Sequence, residues 1–326
     1  MDIRIFKKLL SGHFISEDEF EKIKLQQREP ISVYWDLRTL LYLGISLLTA
    51  ALGLLVYKNI DTIGHDVIII AIAILCISCF WYGFKNSSGY SSENVVSPNA
   101  WFDYIVLMGC LLFLTFIGYL QFEYNIFGSR WGLATFIPMV ILFLSAYYFD
   151  HLGVLSLAIV NLAAWVGINV TPMKILTEND FGSARLIYSG IILGALLIVV
   201  SFASLKKNLK AHFSFTYKNF GWHILEISLL SAVFYFEDYY LLWFLIFALT
   251  SFLFFKWALK ENSFYFLVIT TLYGYIGLSY VILSLLFKGN SDASVYLAIL
   301  YFIFSGIALI WLFIHYNKIF KIHAGI

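Results

Sequence analysis

The stretch GWHILEISLLSAVFYFEDYYLLWFLIF, Gly221 to Phe247, places an imidazole, His223, and a carboxyl group, Glu226, inside a run that otherwise belongs in hydrocarbon. Three residues apart, the two share one face of a helix and lie within reach of each other. A carboxylate charge near the middle of a span costs on the order of 2.5 to 3.5 kcal/mol on insertion scales, so the side chain must face a bundle interior, a water pocket or a partner. Three arrangements meet that demand. Glu226 is held as the neutral acid, it pairs with His223 as imidazolium, or it meets a polar residue of another span. Each suits proton-coupled transport, and each equally suits a structural hydrogen bond.

Asn161, at the centre of another apolar run, is a second polar group at depth. An amide there bonds across to a neighbouring helix, worth roughly 0.6 to 2 kcal/mol. A helix–helix clamp is the plainer reading and a ligand contact, or a partner for Glu226, the sharper one. Glu237 and Asp238, with Tyr239 and Tyr240, mark a tight turn after the Glu226 run, read first as solvated acids and second as a weak cation site. Cys76-x-x-Cys79 has redox spacing, yet neither a second pair nor a nearby histidine accompanies it; with Cys110 these thiols read as small packing residues. Asp150-His151 and His65-Asp66 read as loop polarity. Gly-rich phosphate loops, His-x-x-x-His pairs and Gly-x-Ser-x-Gly elbows do not occur, so no catalytic residues, metal or cofactor are expected and the reading leans away from an enzyme.

The elements that must position these groups follow from composition. Of 326 residues 61% are hydrophobic and 13% charged, with a mean hydropathy of +0.84, whereas soluble domains carry about 25% charge. A helix needs about 20 apolar residues to cross about 30 Å of hydrocarbon, and ten runs qualify: 37–57, 66–84, 101–120, 131–149, 152–170, 186–205, 220–236, 239–257, 264–287 and 294–315. They are too continuous for a barrel, which leaves helices as the way to satisfy the backbone in lipid. The expected fold is an all-α integral membrane bundle over 37–326, with a cytoplasmic helical leader over 1–36. With the N-terminus taken as cytoplasmic, only Lys58, Arg130, Lys174, Arg185 and Lys288 of the 21 basic residues fall in outer segments. The positive-inside rule then puts both termini in the cytoplasm and the protein in a bacterial inner membrane. Eight tryptophans, Trp222 among them, fall near span ends as an aromatic belt would place them; Trp165 alone sits mid-span. The basic loop Lys206 to Lys218 reads as a topology marker rather than a nucleic-acid patch.

The leader carries a capping-box start, Ser16 with Glu19, then Phe20, Ile23 and Lys24 at helical spacing and a stop at Pro30. With Phe14, Phe20 and Ile23 turned to one side, it caps the chain's own inner loops or docks a cytoplasmic protein partner. LGISLLTA (43–50) and LEISLLSA (225–232) hint at a parallel repeat of spans 1–3 and 7–9. Gly190-x-x-x-Gly194 permits close helix approach, within the chain or in a homodimer. Pro138 is the only proline inside a span, which argues against the broken helices of alternating-access carriers.

The order LLSGHFISEDEFEKI followed by DLRTLLYLGISLLTAALGLLVYKN resembles a bacterial family of predicted membrane proteins, domain of unknown function 2157, most clearly over residues 9–58. Glu237, Asp238, Tyr239, Leu242 and Ile246 resemble the Gly-Asp-Tyr-x-x-Leu-x-x-x-Leu signature of a related family, with Glu237 in place of the glycine and Ile246 in place of the last leucine. These resemblances imply a membrane address and no agreed activity. Two functional readings stand on this basis. One is a carrier or binding protein for a small or lipidic ligand, with Glu226 as titrating group, His223 its modulator and Asn161 a ligand contact. The alternative is a structural or regulatory membrane subunit that recruits a partner through its leader.

Overall fold

The computed structural model describes residues 12, 15–20, 34–58, 64–99, 101–170, 183–288 and 292–323, and the chain divides into two compact units, Met1–Ile68 and Ile69–Ile326. In the first unit the capping box is formed. The Ser16 amide donates to Glu19 Oε2 at 2.9 Å, the Glu19 amide donates to Ser16 Oγ at 3.3 Å, and helix begins at residue 17. Phe14, Ile23, Lys24 and Pro30, which carry the rest of the expected leader, lie outside the described residues. Helix α1 (Tyr34–Lys58) exposes Leu40, Leu43, Leu47 and Leu54. Its Ser46 and Thr49 hydroxyls donate back to the carbonyls of Tyr42 and Ile45, so the polar hydrogens are met locally on an apolar helix.

Nine more helices follow: α2 (His65–Asn86), α3 (Phe102–Tyr124), α4 (Trp131–Phe149), α5 (Leu152–Val170), α6 (Ala184–Lys206), α7 (Ser214–Tyr235), α8 (Tyr240–Lys260), α9 (Phe264–Phe287) and α10 (Asp292–His323). Each of the ten apolar runs falls on one of these helices, and no strand occurs among the described residues. Among the described residues eight helices, α2–α6 and α8–α10, are long and apolar enough to cross a membrane, and α7 falls outside that set. In α1 the described stretch Thr39–Leu55 is a shorter apolar run. For α7 the cause is polarity, since Lys218, Asn219, His223 and Glu226 all sit on it.

That polarity goes with its position. Helix α7 packs against α5, α6, α8 and α9, so much of its surface meets protein instead of lipid and escapes the demand for hydrocarbon-facing side chains. Its closest partner is α6, and glycine sets the distance. A Cβ on Gly194 would come within 2.6 Å of the Leu225 amide nitrogen, and one on Gly221 within 2.9 Å of the Gly194 carbonyl. The Gly190-x-x-x-Gly194 face is therefore used within the chain, and this motif is not left over for a homodimer contact.

The cysteines line a second close approach. A Cβ on Gly109 of α3 would lie 2.9 Å from the Cys79 Cβ of α2, and the Cys76 thiol reaches the Gly109 carbonyl at 3.6 Å. All three thiols are free and buried. Pro138 is buried within α4, which continues through it. Trp222 corrects the expected aromatic belt: it is fully buried, its indole stacked on Phe254 at 3.3 Å between ring centres, in a cluster with Ala258, Phe266, Leu267 and Phe320. A tryptophan on the enclosed side of α7 packs in the core regardless of its distance from the span end.

Candidate functional site

Glu226 is fully enclosed, at 0% exposure. One carboxyl oxygen, Oε2, accepts a hydrogen bond from the Ser251 hydroxyl of α8 at 2.8 Å; the other, Oε1, has no partner among the described residues. No cation pairs with it among them. A full carboxylate charge would be uncompensated there, so the site suits a carboxyl group that carries or exchanges a proton and does not suit a standing ion pair.

The sequence expectation of a His223–Glu226 pair is not met. His223 turns instead to α9, where its Nδ1 lies 2.8 Å from the Tyr273 hydroxyl and its Nε2 lies 3.5 Å from the Tyr265 hydroxyl. Tyr265 donates in turn to Asn219 Oδ1 at 2.9 Å. Spacing of three permits a contact along one helix, but two tyrosines on the facing helix offer the imidazole better-aligned partners. Asn161 does not reach Glu226 either: its Nδ2 is buried with no hydrogen-bond partner among the described residues. Glu237 and Asp238 are exposed in a short 3₁₀ turn between α7 and α8. Among the described residues no group of three His, Cys, Asp or Glu could hold a metal ion.

Beside Ser251 lies a cleft of about 420 Å³ bounded by α8, α9 and α10. Its walls are mainly apolar, but Ser251, Thr270, Thr271, Tyr275, Tyr301 and Ser305 all line it. Tyr275 and Ser305 bond to each other across α9 and α10 at 3.1 Å. Thr270 Oγ1, by contrast, is buried and has no partner among the described residues. Ser251 thus touches the cleft and the buried acid together. Sequence reasoning missed this serine, because serines in apolar helices commonly bond their own preceding turn, as Ser78 and Ser231 do here.

A second polar centre was also missed. The Asp150 carboxylate, at the turn between α4 and α5, accepts from the Lys210 ammonium at 2.8 Å and lies 2.7 Å from His212 Nε2, both at Oδ1; Oδ2 accepts from the Val95 amide at 2.6 Å. The side chains of Lys210 and Asp150 are 0% and 1% exposed. Lys210 also donates its amide to Ser92, and both Lys210 and Asp150 hold left-handed backbone, with φ of 48° and 58°. Three connections, 87–99, 150–151 and 207–213, are tied together by this one carboxylate. Neighbouring His151 is buried as well: its Nε2 lies 2.9 Å from the Asp103 carbonyl while its Nδ1 accepts the Val154 amide, capping α5. Loop polarity does not describe either residue. Every partner of the Asp150 carboxylate lies 55 or more residues away along the chain, beyond any spacing rule.

These features define a polytopic helical membrane protein. Residues 7–155 match the family described as predicted membrane protein (DUF2157), in agreement with the N-terminal resemblance. That match covers less than half of the chain and ends in α5, so α6–α10 and Glu226 lie beyond it. No curated protein and no solved structure matches the chain.

Proposed function

We propose that the protein binds a lipidic ligand in the cleft between α8, α9 and α10, with Glu226 as a proton-exchanging group behind it. The observation that carries this reading is Ser251, which lines the cleft and donates to the enclosed carboxyl group. A ligand head entering the cleft meets the hydroxyl-bearing side chains of Thr271, Tyr275, Tyr301 and Ser305, able to donate or accept. His223 acts through α9 in this scheme, because Tyr273 and Tyr265 hold it. The ten helices cross a bacterial inner membrane ten times, with both termini in the cytoplasm. Asn161 on α5, whose amide nitrogen has no partner among the described residues, stays a candidate ligand contact.

The experiment is native mass spectrometry of protein extracted gently from membranes. Wild type is expected to retain an apolar small molecule that Glu226→Gln loses while its thermal unfolding stays within about 1 kcal/mol of wild type, since an amide still accepts from Ser251. Equal retention by both proteins contradicts the reading.

One observation favours the alternative, a structural or regulatory subunit. The chain Asn219, Tyr265, His223, Tyr273 is a nearly complete hydrogen-bonded clamp between α7 and α9 that needs no ligand. Under that reading the leader recruits a cytoplasmic partner and the buried acid only locks the bundle.

A further inference from the structure

Where α4 begins and α5 ends there is another cleft, of about 500 Å³, distant in sequence and in elements from the Glu226 site. Arg130, immediately before α4, stands at its wall, exposed and without an ion pair among the described residues. Trp131, Trp165 and Phe136 line it too, with the Phe136 and Trp165 rings 5.4 Å apart. Trp165 is the tryptophan that stands away from the span ends in sequence, and this cleft accounts for it. Asn169 completes the wall. Its Nδ2 donates to the Trp165 carbonyl at 2.8 Å, which leaves Oδ1 as the acceptor. Gly132 lies against this amide: a Cβ there would come within 2.8 Å of Asn169 Oδ1.

We infer that this cleft is a binding site for the phosphodiester headgroup of an anionic lipid. A guanidinium offers a planar fork of donors that matches two phosphate oxygens. Indole faces cover the glycerol and the first methylenes, as tryptophans do at the headgroup level. The Asn169 acceptor then takes a headgroup hydroxyl, which a phosphoglycerol head supplies and a choline head lacks. A guanidinium that shares its cleft with two tryptophans distinguishes this site from a lysine-rich surface that attracts anionic lipid without a defined pose.

The test is a titration of phosphatidylglycerol, phosphatidylcholine and inorganic phosphate into the purified full-length protein in detergent, read by thermal unfolding and by native mass spectrometry of retained lipid. Phosphatidylglycerol is expected to raise Tm and to be retained, and Arg130→Gln to require about tenfold more lipid for the same shift, the loss of one charge-assisted contact. Arg130→Lys, which keeps the charge without the fork, is expected to fall between the two. Lys288→Gln, an exposed cation elsewhere, is expected to respond as wild type. The inference is overturned if phosphatidylcholine works as well as phosphatidylglycerol, if Arg130→Gln is indistinguishable from wild type, or if Lys288→Gln loses as much as Arg130→Gln. Inorganic phosphate that reproduces the shift alone overturns the lipid as the source. Arg130 is exposed and outside α4, so these variants leave the packed core untouched.

Discussion

Two buried carboxyl groups in this chain are treated in opposite ways. Asp150 is saturated by a lysine, a histidine and a backbone amide, whereas Glu226 has one hydroxyl and an oxygen with no partner among the described residues. The first arrangement fixes structure; the second leaves room for a change of state. Removing one partner of a buried ion pair strands the other charge, at a cost of about 3 to 5 kcal/mol. Lys210→Met is accordingly expected to lower unfolding stability by about 3 kcal/mol, while Lys207→Met, an exposed neighbour, stays within about 0.5 kcal/mol. Denaturant or thermal unfolding of the two variants in the same detergent checks this, and equal stabilities count against the buried triad. The depth of Glu226 was legible in sequence, since a carboxyl group inside an apolar run has to be enclosed. Its partner was not. His223 lies at the right spacing and bonds elsewhere, and nothing in the dipeptide Thr250-Ser251 separates the threonine, which bonds its own helix, from the serine, which crosses to α7.

At the level of elements, apolar length placed each of the ten runs on a helix among the described residues. What it does not reveal is which helix sits inside. Helix α7 is the most polar of the long helices and packs on four others, so its weak hydropathy reflects enclosure by protein. Gly194 and Gly221 are what allow α6 to lie so close to it. Gly194→Val is predicted to destabilise the protein by about 1 to 3 kcal/mol through overpacking. Gly306→Ala in α10, where a Cβ meets nothing within 4 Å, is predicted to be neutral or to stabilise by a few tenths up to about 1 kcal/mol through helix propensity. Thermal unfolding of both separates a backbone-contact role from general intolerance of glycine substitution. The same contrast explains why the small-residue motif was ambiguous in sequence: Gly-x-x-x-Gly states that something comes close without naming it.

For the molecule as a whole, the proposed ten-crossing arrangement is expected to put the Asp150 cluster and the exposed lysines Lys206 and Lys207 on the cytoplasmic side and Arg130 on the outer side. A single cysteine at Lys207 is expected to be closed to a membrane-impermeant maleimide in intact cells and open after permeabilisation, and one at Ser129 to show the reverse; labelling of Lys207→Cys from outside reverses the orientation. At the cleft between α8, α9 and α10 a carboxyl group unsuited to standing charge lies one hydroxyl away from an apolar opening. Its reach from the bilayer is measured most directly with a hydrophobic carbodiimide, which adds to protonated carboxyl groups from the lipid phase, followed by mass mapping of the adduct in native membranes. The account predicts an adduct at Glu226 that is lost in Gly274→Phe, where a ring fills the cleft at a position with open space for it. An unmodified Glu226 in the wild type, or an adduct that persists undiminished in Gly274→Phe, would contradict it.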